Sequence, residues 1–236
     1  MTTTSIFIGN LTSPVMLICF LSSSITILSL SFAFPVNLDS EAHTINQGKE
    51  KSIGICCSWG EQIEDGKLTY TISGKDLKIR NTIVSAIEEW DSKLEPLEIE
   101  QVKDDNSADI YIGFKGDGKS LLGQQMKHGS LPGGLTTLKL DRYGFIQEVH
   151  IIIAEGVLGQ EFSRKEIKLV AEHEIGHALG LGHSNFRSSI MSAKVSSQQF
   201  GSISGCEINS VLFANAWKLM DGNSNQIAVV DGKVMC

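Results

Sequence analysis

Positive charge is in short supply along this chain: 20 lysines and arginines stand against 27 aspartates and glutamates, a formal net charge of -7 over 236 residues. Nucleic acid or an anionic membrane would call for a basic patch, so the balance argues against both as partners. Charge of either sign is missing before Asp39. In that stretch, residues 15–34 run apolar with serines, as the hydrophobic region of a signal peptide does. Ser31-Phe32-Ala33 places small residues where a signal peptidase reads, which predicts cleavage after Ala33 and a secreted protein. The alternative is an uncleaved anchor facing outside, since the run approaches the roughly 20 apolar residues that span a bilayer. Membrane contact is expected only through this segment. Cysteine is also sparse: of five, Cys19 would leave with the apolar segment, and Cys56, Cys57, Cys206 and Cys236 remain. In an exported chain these predict disulfides with three possible pairings. The neighbours Cys56 and Cys57 are expected to bond elsewhere rather than to each other, stapling the N-terminal arm to the C-terminal region.

What the chain does have is the run His173-Glu174-Ile175-Gly176-His177-Ala178-Leu179-Gly180-Leu181-Gly182-His183. On a helix His173 and His177 lie one turn apart, so both imidazoles leave the same face and can share one ion. Catalytic zinc usually takes three protein ligands and keeps a fourth position for water, so a third ligand must come from beyond the helix. His183 is that candidate. Gly180 can adopt the left-handed conformation that ends a helix, and Gly182 keeps the backbone small where it folds back. Glu174, rotated about 100° from His173 around the helix axis, reaches past the metal and is placed as a general base. Zinc lowers the pKa of water towards about 7, and a carboxylate in reach can take its proton during attack on a carbonyl. An amphipathic helix with incidental histidines would explain a bare H-E-x-x-H. It does not explain the full H-E-x-x-H-x-x-G-x-x-H with Met191 downstream.

At these residues the chain resembles the metzincin zinc metalloproteases, and Ser184 after the third histidine is similar to the matrixins among them. The resemblance implies a zinc-dependent endopeptidase acting on protein or peptide substrates, with Met191 in a Met-turn beneath the metal. It implies a metzincin-like α/β (α+β) fold: a twisted mixed sheet with a sheet-packed helix, an active-site helix and a C-terminal helix. The rival is a non-catalytic secreted or surface zinc-binding module that keeps the fold, and the intact Glu174 speaks against it.

The residues themselves divide the chain into a segment 1–33, a polar arm or short pro-segment 34–65, and a catalytic domain 66–236. Alternation predicts strands at 67–72, 97–102 and 108–114. Between the first two, 76–94 reads as a helix with Asp76 as N-cap and Ile79, Ile83, Val84, Ile87 and Trp90 as an apolar stripe. The similarity to matrixins extends here, through Trp90, Pro96-Leu97 and Ala108-Asp109-Ile110. Residues 116–134, with Asp117 and His128, read as a loop. Asp141-Arg142-Tyr143-Gly144 reads as a tight turn between strands 135–140 and 145–153. Ser163-Arg164-Lys165-Glu166 is a capping box opening the helix of His173 and His177. Residues 207–220 form a last helix, its apolar face supplied by Ile208, Val211, Leu212, Ala214 and Trp217.

Metzincins add substrate as an antiparallel strand at a sheet edge, so the resemblance makes Leu135, Thr136 and Thr137 substrate-binding residues. It places Leu169 at the pocket just beyond the scissile bond, with Val170 pointing inward, and an apolar pocket favours Leu, Ile, Met or Phe there. Matrixins often bind structural zinc and calcium near residues 116–134. Lys115 stands where a histidine would open that segment, and His150 with Asp117 is not a four-ligand set, so no structural zinc is expected while calcium stays open. The cysteine-switch motif of matrixin pro-segments is not present around Cys56. After Met191 the chain continues Ser192-Ala193-Lys194-Val195 rather than with the usual proline and tyrosine. A monomer is expected.

Overall fold

A computed structural model describes residues 3–5, 50–103, 107–115, 133–157, 159–193, 202–219 and 232–236. They belong to one packing unit, Met1–Phe7 with Glu50–Cys236. Its strands in chain order are β1 (Thr3–Ser5), β2 (Ser52–Ile55), β3 (Ser58–Trp59), β4 (Lys67–Ser73), β5 (Glu98–Gln101), β6 (Ile110–Lys115), β7 (Gly134–Leu140), β8 (Phe145–Ala154), β9 (Gly156–Val157), β10 (Gln160–Glu161), β11 (Leu181–Ser184) and β12 (Gly232–Met235). Three helices accompany them: α1 (Leu77–Asp91), α2 (Arg164–Ala178) and α3 (Gly205–Leu219). Among the described residues no helix is long and apolar enough to cross a membrane.

The main sheet is mixed, in the order β1-β7-β8-β6-β4-β5, with β3 joined parallel to β8. The pairs β4/β5, β4/β6 and β6/β8 are parallel, and β7/β8 is antiparallel. Parallel neighbours need a crossover, and α1 supplies the one between β4 and β5. Its start follows the expected cap: the Asp76 carboxylate accepts from the backbone N–H of Lys78 at 2.7 Å and of Ile79 at 3.2 Å. Its stripe packs as expected, with Ile83, Ala86, Ile87 and Trp90 buried and Ile79 and Val84 half-buried against the core. Trp90 also donates its indole N–H to the carbonyl of Glu172 at 2.9 Å, joining α1 to α2.

Four expectations are corrected. The packed unit begins well before residue 66: Ile53, Trp59 and Ile63 are core residues, and β2 is the centre strand of a second sheet, β11-β2-β12. The arm is therefore tied to the C-terminal region by backbone pairing, with Ser52 opposite Met235 and the N–H of Cys236 on the carbonyl of Lys51 at 2.8 Å. The disulfides do not staple it, since Cys56 bonds Cys57 and Cys206 bonds Cys236. Strand β7 is not the outermost strand, because β1 pairs with it at Thr137, Leu138 and Lys139. Finally, the buried side of α3 is not purely apolar: Glu207, Ser210 and Asn215 are buried beside Val211 and Ala214, and Leu212 is only half-buried. The side chain of Trp217, and the expected loop 116–132 with Asp117 and His128, lie outside the described residues.

Candidate metal centre

Helix α2 opens on the capping box read from the sequence. The Ser163 hydroxyl accepts from the Glu166 N–H at 3.3 Å, and the Glu166 carboxylate accepts from the Ser163 N–H at 2.8 Å. Along its flank Lys168 bridges to Glu89 of α1 at 2.6 Å and to Glu172 at 3.5 Å. Burial, then the nearby Glu89 charge, pushes Glu172 up to about 7, while the Lys168 hydrogen bond holds the more exposed Glu89 down at about 2. Two carboxylates thus share one ammonium, and Glu89 keeps the negative charge.

The helix ends where the pattern requires. Leu179 is the C-cap and Gly180 follows at φ +98°, a conformation that side chains rarely tolerate. The chain then reverses into β11, which lies against β2: the Cys56 N–H donates to the Gly180 carbonyl at 2.9 Å, and Leu181 pairs with Ile55. A Cβ added to Gly182 would meet the Gly54 backbone at 3.3 Å, so two glycines allow these strands their close approach. His183 is returned by this reversal to face the helix.

The three imidazoles meet there. Nε2 of His173 lies 3.1 Å from Nε2 of His177 and 3.3 Å from Nε2 of His183. At their backs, Nδ1 of His173 is 2.7 Å from the Ile190 carbonyl and Nδ1 of His177 is 2.8 Å from the Leu181 carbonyl. A carbonyl can only accept, so both Nδ1 atoms carry the proton and both Nε2 atoms point a lone pair into the centre. Burial lowers the pKa of His177 and takes His183 down to about 4, so these two stay neutral imidazoles. Lone pairs aimed at one another repel, and a cation at their meeting point removes the conflict. All-nitrogen donors backed by hydrogen-bonded carbonyls suit zinc. This is the group of three or more metal-type side chains found among the described residues.

Glu174 sits beside the triad, buried at 6% exposure. Its Oε2 accepts from the Thr136 hydroxyl at 2.6 Å, and its Cγ and Oε1 lie over Gly134, where a Cβ would come within 2.6 and 2.7 Å. Burial raises its pKa, opposed by His173 and by the Thr136 hydrogen bond. Below the triad Met191 is fully buried against Gly176, where an added Cβ would stand 3.1 Å from the Met191 Cε. The Ser184 N–H donates to the Met191 carbonyl at 2.8 Å, tying that turn to the strand of His183.

The residues expected along the substrate edge divide. Leu135 and Thr137 are half-buried, whereas Thr136 turns inward to Glu174. Leu169 is buried at 7% exposure, in the core cluster. Val170 is half-buried against the core and also meets Gly133, where an added Cβ would lie 2.8 Å from its Cγ2. His150 is away from the triad's network, bonded to Glu148 at 2.8 Å and stacked on Tyr111. Glu207 went unnoticed in the sequence. Its carboxylate accepts from the Ser189 hydroxyl at 2.6 Å and from the Ser204 N–H at 3.0 Å, while Ser189 Oγ accepts from the Met191 N–H at 3.0 Å. The signal was present as Ser204-Gly205-Cys206-Glu207, a second capping-box pattern. A separate groove of about 600 Å³, lined by Lys78, Arg164, Lys165 and Lys168, carries no metal-type ligand.

Comparison with known proteins agrees with this geometry. A family model described as matrixin matches residues 58–204. Metalloendoproteinase 1-MMP of Arabidopsis thaliana is 34% identical over 138 residues, which cover 53% of this chain and 33% of that protein. The chain thus spans about a third of the length of that curated relative.

Proposed function

The chain belongs to the matrixin family, and from that premise we propose that it is a zinc-dependent endopeptidase that is exported and hydrolyses peptide bonds of extracellular proteins. His173, His177 and His183 hold the zinc, and Glu174 is the general base. The observation that carries the reading is the convergence of three imidazole nitrogens within 4.8 Å of one another, with Glu174 buried beside them. Zinc bound there supplies Lewis acidity, which polarises a carbonyl and acidifies water. Glu174 takes the proton of the attacking water and passes it to the leaving amine, so no covalent enzyme intermediate forms. Its burial supports this role, since a carboxyl whose pKa is raised above the ordinary range can both accept and return a proton. Leu169, one turn ahead of His173, lines an apolar pocket that favours Leu, Ile, Met or Phe directly after the scissile bond.

The test is a digest of casein and of a peptide library, with zinc measured by elemental analysis. Wild type should bind about one zinc per chain and cleave in a chelator-sensitive manner. Glu174→Gln should keep the zinc and lose about two orders of magnitude or more in turnover. Zinc bound with no hydrolysis by the wild type would support a binding module instead, and near-wild-type turnover by Glu174→Gln would remove the mechanism.

A further inference from the structure

We propose that Thr136 is a positioning residue for the reaction, holding the Glu174 carboxylate in place through its hydroxyl; the inference rests on the reading of Glu174 as the base. Strand β7 carries Gly134, Thr136 and Leu138 on its buried face and Leu135 and Thr137 on the other, as period-two alternation requires. Gly134 and Thr136 are consecutive on that inner face, and both meet Glu174. Gly134 contributes by having no side chain: an added Cβ would stand 2.6 Å from the Glu174 Cγ and 2.7 Å from Oε1. Thr136 contributes a donor. Its Oγ1 lies 2.6 Å from Oε2 and 3.1 Å from the Glu174 main-chain carbonyl.

A hydroxyl has one proton to give, and the shorter contact, to the charged acceptor, is the stronger. Oε2 is thereby occupied from the strand side. Oε1 is the oxygen left for chemistry. Without the hydroxyl, Oε2 would be a buried carboxylate oxygen facing a methyl group, and the side chain would seek another partner. Glu174 has no other side-chain hydrogen bond among the described residues, so no second hydrogen bond fixes its terminal torsion. The side chain of Thr136 is itself buried at 6% exposure, which places its effect on Glu174 rather than on substrate.

The test compares Thr136→Val, Thr136→Ser and Glu174→Gln, singly and combined, on an internally quenched peptide with leucine after the scissile bond. Valine keeps the shape and removes the donor. Thr136→Val should lower kcat by about 10- to 100-fold, the loss expected for one hydrogen bond to a charged group, with KM changed less than about twofold and zinc content unchanged. Thr136→Ser should restore most of the rate. Adding Thr136→Val to Glu174→Gln should cost nothing further, because the group it positions is already gone. In metal-free protein labelled with 13C-glutamate, the Glu174 carboxyl resonance should move in the valine variant and return in the serine variant. Wild-type kcat in Thr136→Val beside a dead Glu174→Gln would overturn the positioning role and leave the proposed function standing. An active Glu174→Gln would overturn the function itself. Failure of serine to restore the rate, or an equal loss in the Glu174→Gln background, would reduce Thr136 to a packing residue and overturn the proposal. If the valine variant does not fold, Thr136→Ala against Thr136→Ser makes the same comparison without added bulk.

Discussion

Replacing Gly180 with alanine tests whether the reversal after α2, rather than the helix itself, places the third histidine. Gly180 has φ +98°, and an added Cβ would stand 2.5 Å from the Cys57 carbonyl oxygen and 3.7 Å from the Ala214 Cβ. The residue cannot slide away, because its carbonyl accepts from Cys56 at 2.9 Å and its N–H donates to the His177 carbonyl at 3.0 Å. Strain at such a φ costs about 1–3 kcal/mol, overpacking about 1–3 kcal/mol, and the stiffer unfolded chain returns about 0.4–1 kcal/mol. The net loss is about 3 kcal/mol. For a unit of this size each kcal/mol lowers Tm by about 2–4 °C, so the metal-free variant should melt about 6–12 °C lower in calorimetry. Leu181 to His183 follow Gly180 directly, so zinc affinity in a chelator competition should fall at least about tenfold, as for other disturbances around a metal ligand. Gly159→Ala is the control: φ there is +82° with nothing within 4 Å of an added Cβ, so it should lose the strain and none of the collision. A Gly180→Ala variant that melts within 2 °C of wild type, or no lower than Gly159→Ala, would refute the reasoning.

Two further outcomes are expected. Glu89 accepts from Lys168 at 2.6 Å and Lys93 at 3.1 Å, and the first of these bonds dominates in holding it at about 2. A folded-state pKa below the unfolded value of about 4.3 stabilises above that value and is lost as pH falls through the folded pKa. Glu89→Gln should therefore cost about 1 kcal/mol at pH 7, discounted for the exposure of both partners, with the gap closing between about pH 4 and pH 2 in urea melts; a constant gap would refute it. Cys206 and Cys236 are 30 residues apart, so Cys236→Ser should cost about 3.5 kcal/mol by the same assay, and a loss below about 1 kcal/mol would refute it.

How far the sequence could be read depended on how local the information was. Helix α2, its capping box and the glycine at its end are written within about twenty residues, and the structure follows them. Strands β4 and β6 to β8 alternate over six or more residues, long enough for a period to register. β2 and β3 have four and two residues, too few for any period, so the arm read as irregular although Ile53 and Trp59 are fully buried. The disulfides went wrong for a related reason. Pairing follows from distance in the fold, and adjacency in sequence is no bar to the Cys56–Cys57 bond. The contact of Thr136 with Glu174 spans 38 positions in sequence and leaves no local mark.

The polar residues that interrupt the apolar faces have a common location. A helix leaves its last carbonyls without partners, and here α2 ends in the core, away from water that could satisfy them. The Ala178 carbonyl accepts from the indole N–H of Trp59 at 2.9 Å, and the Leu179 carbonyl from the Asn215 side chain at 3.2 Å. Asn215 in turn accepts from the Trp59 backbone N–H at 3.0 Å, so β3, α3 and the end of α2 close on one another. Glu207, about two turns earlier on α3's buried side, holds Ser189 and through it Met191. Each of these groups would cost about 1–3 kcal/mol if left buried without its partner, which makes α3 poorly tolerant of apolar substitution at the very positions where its helical stripe would ask for one. The C-terminal helix therefore acts as a polar brace for the half of α2 that carries His173 and His177, and the N-terminal arm is the other half of that brace. Removing residues 52–63 would take Ile53, Trp59 and Ile63 out of the core and leave the Ala178 carbonyl, at the foot of the histidine triad, without its partner.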